Sequence, residues 1–191
     1  MISKMLFHYC KSIYRSIATT ILIICCSLLL AHPAWAGLDD DKYDGNVFVL
    51  YAGNGSLVPA RVSLANSLIA KKPALLVYYI DDSSDCKKYS TVISQLQAYY
   101  GKAASFIPVT VDSLALDRKY TSTEDGYYYG GTVPQTVVID KAGKVRLNQT
   151  GQISFEKMDD TLREVFDLLP RQESVELKRR SFNEFNSELT N

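Results

Sequence analysis

Cys86 is the residue around which thiol chemistry could be built. It lies in Leu75–Lys88, LLVYYIDDSSDCKK, where an apolar run of strand type stops at an acidic, serine-rich turn and a helical pattern begins. A strand that delivers a cysteine to the first turn of a helix favours a thiolate, because the helix dipole and free N–H groups stabilise negative charge there. Ordinary disulfide exchange also needs a second cysteine three positions earlier. That position holds Ser83, so the turn reads S-S-D-C. A serine hydroxyl is a poor nucleophile unless a base takes its proton, and no histidine follows His32. Ser83 or Ser84 is therefore expected to cap the helix, an interaction worth about 1 kcal/mol. Asp81, Asp82 and Asp85 oppose ionisation of Cys86, while Lys87 and Lys88 favour it. The three aspartates lack the glycine-centred ligand spacing of a calcium loop and read as a solvated acidic turn.

Two elements must position that turn. The strand is Ala74–Ile80, almost continuously apolar as in a buried strand. The helix runs from about Asp85 to Tyr100, with Cys86, Tyr89, Ile93, Leu96 and Tyr100 at three- and four-residue steps on one face. Cys86 thus belongs to the core-facing stripe, which predicts a small buried hydrophobe rather than a reactive thiol. A monothiol redox role through Cys86 is the alternative.

The remaining elements follow in order. Val47–Tyr51 reads as a first strand and Arg61–Ala70 as a short helix carrying Leu64, Leu68 and Ile69. Phe106–Val111 reads as a strand whose Pro108 suits an edge or a bulge. An irregular stretch, Leu114–Gly131, contains Tyr127-Tyr128-Tyr129-Gly130-Gly131. Val137–Ile139 and Lys144–Asn148 form a hairpin, and Phe155, Met158, Leu162, Val165 and Leu169 mark an amphipathic helix ended by Pro170. The order β-α-β-α-β, irregular connection, hairpin and helix predicts an α/β fold: a mixed β-sheet with helices on both faces.

Residues 1–36 carry Lys4, Lys11 and Arg15, an apolar run from Ile17 to Ala31, and Ala34-Trp35-Ala36. That layout predicts a signal peptide or an uncleaved signal anchor, and export across a membrane. Residues 37–46 read as a loose acidic lead-in. From residue 37 onward the chain has 18 basic against 21 acidic residues, which excludes an electrostatic footprint for nucleic acid. Cys10, Cys25 and Cys26 lie in the leader, leaving Cys86 without an internal disulfide partner. Nothing in the pattern calls for a metal or another cofactor.

Residues 74–169 resemble the thioredoxin superfamily, through the strand–turn–helix ending at Cys86 and through Thr132-Val133-Pro134 before the hairpin. The resemblance implies a thioredoxin-like domain over 47–170 with an extra N-terminal β-α unit. It also implies a cis Val133–Pro134 bond and a peptide-binding groove at Asp82, Ser83, Ser84, Thr132, Val133 and Pro134. In the family's terms the attacking cysteine is replaced by Ser83, the tryptophan before it by Asp82, and the buried acid six positions earlier by Val77. No dithiol oxidoreductase activity is then expected. The stretches YAGNGSLVPARVSLA, DDSSDCKKY, YYYGGTVPQTVVID and FDLLPRQESVELKRRSFNEF are similar to the cyanobacterial thylakoid membrane photosystem I accumulation factors. That similarity implies a place at the thylakoid membrane or in its lumen, or on the periplasmic side. It also implies a protein partner, either a photosystem I subunit or an assembly helper.

Residues 171–191 exceed what a minimal core of this kind needs. Val175, Phe182, Phe185 and Leu189 lie along one side of an expected amphipathic helix, with Lys178-Arg179-Arg180 on the others. The seam either covers its own domain or docks a partner or the membrane surface, a protein partner being favoured over the membrane.

Overall fold

In the computed structural model residues 14–27, 37–115 and 117–174 are described. The chain forms two units, Met1–Ala36 and Gly37–Asn191. In the first, α1 spans 14–27. Among the described residues no helix is long and apolar enough to cross a membrane.

The second unit is built on β1 (Ala74–Tyr79), whose six residues are all buried. β1 pairs in parallel with β2 (Ser105–Thr110) and antiparallel with β3 (Gln135–Ile139). β3 in turn pairs antiparallel with β4 (Val145–Thr150), giving the order β2-β1-β3-β4. Pro108 lies in β2, an edge strand, where its missing N–H breaks no central ladder. Alternate β1 side chains point to opposite faces. Leu75, Val77 and Tyr79 enter one core under α2 (Val47–Leu50), α4 (Ser84–Tyr100) and α5 (Phe155–Val165). Ala74, Leu76 and Tyr78 enter the other, beneath α3 (Leu64–Ile69) and the connection between β2 and β3. The fold is the expected mixed sheet with helices on both faces.

One element departs from expectation. Val47–Tyr51 is not a strand: Val47–Leu50 is a single helical turn, so among the described residues the sheet has four strands and no extra N-terminal one. The Asn46 side chain caps that turn by accepting from Phe48 N at 3.1 Å, and Val47 N donates to Asp81 Oδ1 at 2.9 Å. Only Val47 and Phe48 are buried, while Val49 and Leu50 are half exposed. A central strand would need both faces covered.

Smaller differences have local causes. α3 starts at Leu64 because Ser63 caps it, and Ile69, at 80 % exposed, is off the core. α5 stops at Val165, since Asp167 takes a left-handed conformation (φ 54°), which leaves Leu169 exposed. A 3-10 turn, Val111–Ser113, precedes the irregular stretch, and a second, Asp125–Tyr128, lies within it.

Candidate functional site

β1 and β3 are neighbours, with Tyr78 opposite Gln135, so the turn after β1 and the loop before β3 emerge at the same end of the sheet. That brings Asp82, Ser83 and Ser84 to one side and Thr132, Val133 and Pro134 to the other. Asp82 and Thr132 are exposed, Ser83, Ser84 and Val133 half-buried, and Pro134 buried. The Val133–Pro134 bond is cis, as is Val58–Pro59. The Pro134 carbonyl accepts from Gly151 N at 2.7 Å, and Val133 packs against both cores. Val175, Phe182, Phe185 and Leu189 lie outside the described residues.

Ser83 caps α4: its Oγ accepts from Cys86 N at 3.3 Å. Cys86 is 2 % exposed within the core beneath α4. Burial pushes its thiol pKa up, and Asp85 and Asp81 add to that, outweighing hydrogen bonds from Ile80 and Ser83. Val77 sits opposite Thr136, whose hydroxyl shares a 2.8 Å hydrogen bond with the Tyr89 hydroxyl. Tyr89 is buried and its pKa is pushed up to about 12, so this pair is neutral and supplies no base near Cys86. Cys86 is thus expected to alkylate at least about tenfold more slowly than a free cysteine at pH 8. Peptide-resolved mass spectrometry of the native chain checks this, with denaturant restoring the ordinary rate.

The lead-in is not loose. Residues 37–45 cross the start of α4 as a strap held by Lys87, whose side chain is fully buried. Its Nζ donates to the carbonyls of Gly37 (2.8 Å) and Asp40 (3.0 Å), and to Asp40 Oδ1 (3.0 Å) and Asp44 Oδ2 (2.8 Å). The Tyr51 ring lies 5.3 Å away and its hydroxyl donates to Asp44. Burial alone would lower the Lys87 pKa, but Asp44, Asp40 and Tyr51 together hold it above the ordinary value. Asp41 Oδ1 accepts from Ser84 N at 2.8 Å, so the strap places its own carboxylate on the free N–H end of α4. Sequence alone missed this clamp. The available signal was charge pairing, the acidic run Asp39–Asp41 against Lys87-Lys88, with Lys87 43 to 50 positions from its partners.

Residues 61–166 match the family model described as a thioredoxin-like domain. The chain belongs to the thioredoxin-like family. It is also similar to the thylakoid membrane protein slr1796 of Synechocystis sp. (strain ATCC 27184 / PCC 6803 / Kazusa), with 57 % identity over 156 residues. The match covers 82 % of this chain and 78 % of that protein. Within the thioredoxin-like family, the turn that ordinarily carries two thiols here carries a capping serine and one buried thiol. The α4 terminus that would stabilise a thiolate is occupied by Ser83 and Asp41 instead.

Proposed function

We propose that the chain is a non-catalytic thioredoxin-like accessory protein that holds a polypeptide at the thylakoid membrane and supports photosystem I accumulation. The observation carrying this reading is the state of the redox turn. Cys86 is buried, Ser83 is engaged as a cap, and Val77 stands where the family has an acid, while the Thr132–Pro134 loop beside them is kept. A thiol that cannot be reached cannot begin exchange, so what the site retains is shape. The likeness to a thylakoid membrane protein supports the location, and the resemblance of the stretches quoted above to photosystem I accumulation factors supports the role. The leader supports export to the lumenal or periplasmic side.

The polypeptide's place is the sheet end formed by Asp82, Ser83, Ser84, Thr132, Val133 and Pro134. If Val175, Phe182, Phe185 and Leu189 form a seam, it provides a second docking surface for the same partner or a helper. Burial of Cys86 counts against the monothiol alternative.

The test is functional separation of the thiol from the role. The protein should show no turnover in insulin-disulfide reduction. Cys86→Ala should cost about 1 kcal/mol in packing and leave photosystem I accumulation unchanged. Loss of accumulation by a Cys86→Ala protein that melts normally would transfer the function to the thiol.

A further inference from the structure

We infer that the end of the domain opposite the candidate groove is a docking face for an anionic lipid surface. The last turn of α3 and the β3–β4 turn meet there: a side chain built on Gly143 would lie 3.9 Å from Leu68 Cδ2. Lys71 and Lys141 line one cleft between these turns. Lys72 and Lys144 flank them in sequence, and Lys71, Lys141 and Lys144 are exposed. Among the described residues none of the four lysines forms an ion pair. The acid adjoining them in sequence, Asp140, is 4 % exposed and engaged by Arg146 at 2.6 Å and by the turn N–H groups of Ala142 and Lys144. Its charge does not cancel theirs.

Ile69, the last residue of α3 and two positions before Lys71, is 80 % exposed. Basic side chains around an exposed aliphatic one combine attraction to headgroups with shallow apolar insertion. The charge distribution supplies the orientation. The portion from residue 37 onward is net negative, and around the strap and the groove end Asp39, Asp40 and Asp44 pair with Lys87 and Lys88 while Asp41, Asp81, Asp82 and Asp85 form no ion pair among the described residues. An anionic surface would attract the lysine end and repel the acidic end, turning the groove away from the lipid. This inference needs the membrane location proposed above but not the identity of the groove's occupant.

The test is lysine acetylation of the full chain, read by mass spectrometry on vesicles of zwitterionic lipid alone and with about one third anionic lipid. The expected result is about tenfold protection of Lys71, Lys72, Lys141 and Lys144 on the anionic vesicles only, with Lys42 at the strap unprotected. The variant Lys71→Glu/Lys141→Glu should melt normally and lose the protection of Lys72 and Lys144. Equal protection on both vesicle types, protection by inorganic phosphate without vesicles, or retained protection in the double variant would overturn the inference.

Discussion

Replacing Lys87 by methionine should lower the melting temperature by about 10 °C, a large effect for one side chain. The methionine can fill the space beneath the strap, but it offers no hydrogen to Gly37, Asp40 or Asp44. The Asp44 carboxylate, 14 % exposed, then regains its water only by lifting residues 37–45, and Asp41 leaves the α4 terminus with it. Hydrogen exchange should show this as faster exchange at Ser84, whose N–H the strap holds. Acid should reproduce the release. The Asp44 carboxyl is held below its ordinary value of 3.8 by Lys87 first and Tyr51 second, and Asp41 is held low by Ser84. A depressed carboxylate stabilises the fold above its ordinary value and loses that contribution as pH falls through the lowered one. Lys87 is raised, so its contribution is complete below 10.5 and is lost only as pH rises through the raised value. The strap should therefore stay closed through the neutral range and open below the usual carboxylate range. A variant that melts like the parent would show that the clamp contributes nothing.

Restoring one sulfur should restore chemistry. Ser83→Cys places a thiol where the cap hydroxyl already sits over Cys86 N at 3.3 Å, and the pair becomes the two-thiol turn of the family. Reduction of insulin disulfides is expected to rise at least about tenfold above background, a gain from no measurable activity. Two features hold it below a complete thioredoxin. Val77 leaves Cys86 without a proton acceptor, a deficit of about a hundredfold or more. Asp41 at the α4 terminus opposes the new thiolate by like charge. Loss of the serine cap costs about 1 kcal/mol, so the variant should remain folded. A Ser83→Cys variant whose new thiol forms a disulfide with Cys86 yet shows no activity would mean that the groove end cannot present a thiol to a substrate.

The parts legible in the sequence were those governed by local pattern. β1 reads as an unbroken apolar run, and α4 reads from the stripe Cys86, Tyr89, Ile93, Leu96 and Tyr100 with a serine in front. The burial of Cys86 followed from that stripe. Val47–Leu50 shows where pattern ends: four apolar residues suit a strand or a helical turn equally, and the choice was made by Asn46, Asp81 and the Tyr79 ring packed 5.0 Å from Phe48. The strap was illegible for the same reason. Its aspartates look like solvated loop residues until Lys87, 43 positions beyond Asp44, is seen beneath them. Likewise Ile69 and Leu169 fit helical spacing, yet each lies at or past the point where its helix ends.

The most direct measurement of the central claim is site-specific photocrosslinking in the protein's own membranes. A photoreactive residue at exposed Thr132, between the Ser83 turn and Pro134, should capture a photosystem I polypeptide or an assembly helper, and should do so equally in a Cys86→Ala background. The same probe at Glu164, on the exposed side of α5, should not capture it. A captured polypeptide that disappears when Cys86 is removed, or equal capture from Thr132 and Glu164, would contradict non-catalytic binding at this end of the sheet.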